Sequence, residues 1–357
     1  MRLQLILAAA SFSTLANAQE MAKVDDRAAV YQDTDHTTIV TNNVAARATP
    51  GKHLDVEARY LVDVISTASV DVISAATTRF NEVRHEAEGG VGWHDDDAKL
   101  DASYVFSTEN DWTSHTANGG YTQDFAHHQV TLHVGGTAVS NDVGRSGDAN
   151  LHRQLWVGGG SAGLTFVLSR RDLLDLSYTL AYSSGYQASP YRYVSFDGSP
   201  IALGAPENVP DTRARHAVTL RWNRAAFEHS AFRSHVRGYW DDWGVTSITA
   251  GTEYVTGFGP SWELGAFVRG YAQTHAWFYA PSYPTVETYM TADRELATFV
   301  DGFAGLRLGW HRERASATFS DLRADFRVSA FDFEFFDFPR LRERQGVLGE
   351  VAFGVSF

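Results

Sequence analysis

Apolar and polar side chains alternate on a period of two along almost the whole chain beyond its first twenty residues. Leu54, Val56, Ala58, Tyr60, Val62 and Val64 fall on one side, with Asp55, Glu57, Arg59 and Asp63 on the other. The pattern returns in Leu174–Tyr182, in Val218–Trp222 and in Leu322–Ala330, where Arg323, Asp325 and Arg327 separate the apolar residues. A period of two describes extended strands with one apolar face. A soluble sandwich would turn that face inward and its charges into water. A transmembrane barrel turns the apolar face to lipid and the polar face to its lumen.

Three features choose the barrel. Alternating runs such as 153–169, 261–275 and 313–331 outlast the five or six residues usual in globular sheets and suit a tilted membrane strand. Val347, Gly349, Val351, Phe353, Val355 and Phe357 form one alternating face that ends on a terminal aromatic residue. That ending resembles the last strand of bacterial outer-membrane barrels. Tryptophans at 93, 112, 156, 222, 240, 243, 262, 277 and 310 fall near strand ends, as expected of girdles at the two membrane interfaces.

The N-terminus predicts export. Met1-Arg2, the apolar stretch Leu3–Leu15 and Ala16-Asn17-Ala18 have the order of a secretory signal over residues 1–18, leaving 19–357 as one barrel domain. The chain contains no cysteine, which excludes disulfides, thiolate metal sites, thiol catalysis and a lipidated cysteine anchor. A net charge of −13 argues against a nucleic-acid partner.

Turn residues divide the chain into about sixteen strands, with fourteen or eighteen as the alternatives and an even number favoured in a closed single-chain barrel of this type. Short connections are expected near 49–52, 95–99, 126–127, 170–171, 226–230, 258–260 and 311–312, and long ones near 66–77, 142–152, 184–211, 276–293 and 332–344. The long ones belong outside the cell and the short ones in the periplasm. Their alternation works only with a first strand at about 24–32, followed by a turn at Asp33–His36.

Several motifs resemble a known family. Tyr31-Gln32-Asp33, Asp63-Val64-Ile65-Ser66, Arg84-His85-Glu86 and Ser107-Thr108-Glu109-Asn110-Asp111 occur in order. The series continues with Gly185-Tyr186-Gln187-Ala188-Ser189-Pro190-Tyr191-Arg192-Tyr193-Val194, Pro210-Asp211-Thr212-Arg213, Tyr239-Trp240-Asp241-Asp242-Trp243-Gly244 and Thr291-Ala292-Asp293-Arg294-Glu295-Leu296. From about residue 30 onward the chain resembles the bacterial domain of unknown function 3570. The resemblance implies a Gram-negative outer-membrane barrel in contact with outer-membrane lipids, and brings no activity or catalytic residue. It also hints at a small lipoprotein or an envelope redox protein as partner.

Catalytic chemistry has little support. No G-x-S-x-G, Walker or H-E-x-x-H pattern occurs. Ser114-His115 and Ser234-His235 are sequence neighbours, so in a strand each pair splits between opposite faces. His127-His128 and Asp95-Asp96-Asp97 read as solvated turns rather than metal ligands. No cofactor is expected.

The informative polar residues are those assigned to the lumen: Asp55, Glu57, Arg59, Asp63, Asp175, Arg215 and Arg221, then Glu263, Arg269, Arg307, Arg323, Asp325 and Arg327. Both signs recur, so they either line a water-filled passage or brace the wall as ion pairs. Tyr191, Arg192, Asp211, Arg213, Asp293 and Arg294 are the candidates in two long loops rich in aromatics. Those loops are expected to pack on each other, with Arg192 or Arg213 meeting Asp211 or Asp293. The expected function is porin-like passage of small solutes, with a scaffold barrel holding a lipoprotein or redox partner as the alternative.

Overall fold

The computed structural model describes residues 22–67, 80–197, 204–313 and 320–357; the expected signal segment lies outside them. The chain runs up and down through successive antiparallel strands: β1 (Ala22–Asp33), β2 (Thr37–Ala48), β3 (Leu54–Thr67), β4 (Phe80–His94), β5 (Ala98–Thr108) and β6 (Trp112–Phe125). Then follow β7 (Val130–Arg145), β8 (Asp148–Val167), β9 (Asp172–Gly185), a two-strand flap of β10 (Tyr193–Val194) and β11 (Ala205–Pro206), and β12 (Thr212–Ala225). The wall ends with β13 (Ser230–Asp241), β14 (Thr246–Phe258), β15 (Trp262–Gln273), β16 (Phe299–Glu313), β17 (Asp321–Phe335) and β18 (Glu343–Ser356). Every wall strand pairs with its sequence neighbour, and β18 returns to pair with β1, giving a closed barrel of 16 strands.

Closure follows from the solvent. In hydrocarbon an unpaired strand edge has no water to bond, so a sheet with lipid on one side must leave no edge. Here the last residue completes the seam: Phe357 N–H donates to the Ala22 carbonyl at 2.9 Å. With strands about 4.8 Å apart and tilted about 40°, sixteen of them enclose a barrel roughly 30 Å across its backbone. Glycines let side chains lie flat on the inner wall. A Cβ on Gly163 would sit 2.1 Å from the His133 ring, so that imidazole occupies the space a side chain would take.

Alternation sorts the side chains by face. The outward row is apolar and exposed, as in Val30, Val64, Leu100, Val268 and Leu306. Outward tryptophans gather at two levels. Trp93, Trp222, Trp262 and Trp310 stand near the short-turn end, and Trp156 and Trp240 near the long-loop end. Three outward tyrosines bond a histidine on the next strand: Tyr60 with His85, Tyr104 with His115 and Tyr178 with His216. Apolar rings with polar tips suit a membrane interface.

Four expectations are corrected. Residues 142–152 are not a long loop, because β7 and β8 continue to a two-residue turn, Ser146-Gly147, where Gly147 takes φ +83°. His311-Arg312 lies within β16, which runs on to Glu313. Trp112 faces inward and donates to Asn141 at 2.9 Å, and Trp243 is buried among loop residues, so neither belongs to a girdle. Arg213 is a strand residue, the second of β12.

Candidate functional site

The barrel is built differently at its two ends. Most turns at the short-turn end close tightly: the Asp95 carboxylate accepts the N–H groups of Asp97 and Ala98, which holds its own charge-favoured form and keeps its pKa low. His128 meets Asp124 at 3.1 Å, and that hydrogen bond raises its pKa. No metal geometry arises there among the described residues.

At the other end two long connections, described over 186–197 with 204–211 and over 274–298, fold over the mouth and tie the rim together. Ala276, Phe278, Tyr279, Leu296, Ala297 and Phe299 pack with Val209, Trp243, Val245, Phe335 and Phe338 in one apolar cluster. A second cluster joins Val194 of the flap to Tyr283, Met290 and Ala292. Backbone bonds link Asn208 with Met290 in both directions, and Trp277 N–H donates to the Trp243 carbonyl. Tyr191 reaches away to the far rim. Its hydroxyl donates to Asp111 and accepts from the Ser146 N–H. Burial and the Asp111 carboxylate raise its pKa. All seven described connections at this end therefore contribute to one cap.

Two buried charge clusters clasp the cap. Arg192 lies between Glu207, at 3.2 Å, and Asp293, at 2.9 Å, so one guanidinium joins the two loops. Glu207 also accepts from the Thr291 hydroxyl at 2.8 Å and from the Ser189 N–H. Burial pushes its carboxyl up, Arg192 pulls it back and Asp293 adds to the rise. Arg294, 0% exposed, bonds Asp35 in the turn after β1. Arg344 of β18, 1% exposed, lies 3.7 Å from Glu295 and stacks on Phe333. A desolvated arginine needs such partners, because a buried charge left alone is costly.

Below the cap several inward arginines stay open to water, while some of the carboxylates they hold, such as Asp63, Asp301 and Asp321, are buried. Arg221 (48% exposed side chain) pairs with Asp175, which also meets His133 at 2.9 Å. Arg59 holds Glu86 and Glu88 at 2.8 and 2.7 Å, Arg84 holds Asp63 at 2.6 Å, and Glu57 meets Arg47 at 3.5 Å. Asp55 accepts from Thr49. Arg307 bridges Glu263 and Asp325 at 2.8 Å each, and Arg269 pairs with Asp301 at 2.7 Å. Arg323 bonds Asp321, Arg215 bonds the Ser183 hydroxyl, and Arg327 lies 3.9 Å over the Phe267 ring. All thirteen lumen candidates stand on inward register positions.

The loop candidates divide. Arg192 and Asp293 meet, Tyr191 and Arg294 anchor the rim, and Asp211 offers its backbone carbonyl to Gly185. Arg213 pairs with Asp241 instead of Asp211 and lies 4.3 Å over Trp243. Glu207, Asp35, Glu295 and Arg344 went unrecognised in the sequence. The Tyr-Val and Ala-Pro pairs around the flap carried no charge signal, and Asp35 sits in a three-residue turn. The cluster Glu82, Glu109 and Asp111, with carboxylate oxygens within 4.8 Å, was also missed because its members come from separate strand ends.

A sequence profile described as "Protein of unknown function (DUF3570)" matches residues 74–159 and 149–333. No curated protein matches the sequence. In fold, the chain is similar to a bacterial polysaccharide outer membrane secretin (TM-score 0.57, 10% identity, covering 96% of this chain and 100% of that one). It is also similar to CdiB from Acinetobacter baumannii (TM-score 0.52, 9% identity, covering 94% of this chain and 60% of that one). At such identities the likeness concerns the barrel itself.

Proposed function

The chain belongs to the DUF3570 family, and we propose that this member is an outer-membrane passage for small solutes whose outer mouth is covered by two clasped loops. The carrying observation is the wet lumen. Inward side chains such as Arg221, Arg233 and Glu57 keep 40% or more of their surface open to solvent although they point to the barrel axis. A filled barrel of this width would bury them. The outer membrane is the setting in which a closed barrel with an apolar outer face and aromatic girdles is stable, and the two neighbours named above carry that fold.

The cap supports a second reading, a closed scaffold that holds a lipoprotein or redox protein. Liposomes carrying the purified protein separate the two. In iso-osmotic solutions of uncharged sugars of increasing size, a passage swells the vesicles fastest with the smallest sugar and shows a size cut-off. A scaffold gives the rate of protein-free vesicles with every sugar.

A further inference from the structure

The charges inside the barrel are balanced in number but separated in space. On β3 the inward residues Asp55, Glu57 and Asp63 are acidic, and on β4 so are Glu82, Glu86 and Glu88. β5 and β6 add Asp101 and Asp124. This arc of four strands carries only Arg59, Arg84 and Lys99 as inward lysines or arginines. The arc β12–β15 is the reverse. Its inward arginines are 213, 215, 221, 233, 237 and 269, set against Asp241, Glu253 and Glu263.

The two arcs face each other. Three wall strands, β7 to β9, separate them on one side, and five, β16 to β18 with β1 and β2, on the other. The inward faces of β7 and β8 are mostly small and neutral, with Gly135, Thr137, Gly159 and Ser161. Pairing within each arc does not cancel the difference. Acids and bases on flanking strands hold Arg221, Arg269 and Glu57, but among the described residues Arg215 and Arg237 have no carboxylate partner, Glu86 and Glu88 share Arg59, and Asp101 makes no ion pair.

We infer that the lumen holds a transverse electric field that favours dipolar solutes, small zwitterions carrying a carboxylate and an ammonium group. This rests on the open-passage reading. A zwitterion turns its carboxylate to the arginine arc and its ammonium to the acidic arc, so both charges are stabilised in one orientation. A net anion or cation gains at one wall and loses at the other. An uncharged molecule of the same size feels no such pull.

Alanine and its uncharged isomer lactamide test this with size held constant. Liposome swelling is measured with the full-length protein at low ionic strength, with the rate of protein-free vesicles subtracted. Alanine is expected to enter roughly twofold faster than lactamide, and 1 M salt should remove the difference, since the screening length falls to about 3 Å. The double variant Arg215→Glu/Arg237→Glu should lose the preference, its alanine uptake falling to its own lactamide rate. The milder Arg215→Gln/Arg237→Gln should halve it, which guards against a folding defect in the reversal. Equal rates for the two solutes in the native protein overturn the inference and leave the passage standing. Uptake of neither solute overturns both.

Discussion

Arginine–carboxylate pairs occur at both levels of this barrel, and their surroundings give them opposite work. In the cap, Arg192 and Arg294 are buried with their acids and join segments far apart in sequence. In the lumen, Arg221 and Arg233 pair with acids on neighbouring strands while remaining open to water. A buried pair is hard to break from one side, because the surviving charge is left in a poor solvent. A hydrated pair is screened, and its loss is cheap. The same chemistry therefore serves as a clasp above and as a field-bearing lining below.

The largest effect is expected for Arg294→Met, which removes the buried guanidinium that Asp35 bonds beneath the cap. We expect a loss of about 3–5 kcal/mol in cap stability, read as rapid protease cleavage within 274–298 on intact cells, where the native loop resists. Resistance equal to the native protein would mean that the apolar clusters alone hold the loop. Arg192→Ala should come next, at about 3 kcal/mol, freeing 186–211 and 274–298 from each other; cleavage of only one loop would show that they are anchored separately. By contrast, Arg221→Ala should change unfolding by about 1 kcal/mol or less. A loss as large as that of Arg294→Met would erase the distinction between cap and lumen.

Acidity gives a subtler contrast. Glu207 has a raised pKa in the folded cap, so its contribution to stability is fully present below its ordinary pKa and is lost as pH rises through the raised value. The native cap should then resist protease better in mild acid than at pH 8 on the side of this one group. Glu207→Gln should reduce that pH dependence, and an unchanged profile in the variant would assign the titration elsewhere.

The wall was legible in the sequence because lipid on one face and water on the other impose a strict period of two. That pattern reveals the strand count, the inward rows and the closing strand from Glu343 to Ser356. Where lipid imposes nothing, the period of two carries no information. Trp243 looked like a girdle residue but lies in the loop core, and β7 and β8 continue as strands through what read as a loop. The cap was visible as a density of aromatics and fixed charges in two loops, and Arg192 with Asp293 was within reach. Its other partners were not, since Arg294 and Asp35 are 259 residues apart and meet only once the barrel closes.

A hollow lumen beneath a clasped cap is tested most directly by single-channel conductance in planar bilayers, with native protein and Arg192→Ala compared under one salt. The native protein should show small or intermittent openings, and the variant long-lived openings of several-fold larger conductance. Both proteins must migrate as folded, heat-modifiable barrels. Silence from a folded Arg192→Ala barrel would contradict the hollow lumen, and full steady conductance from the native protein would contradict the clasp.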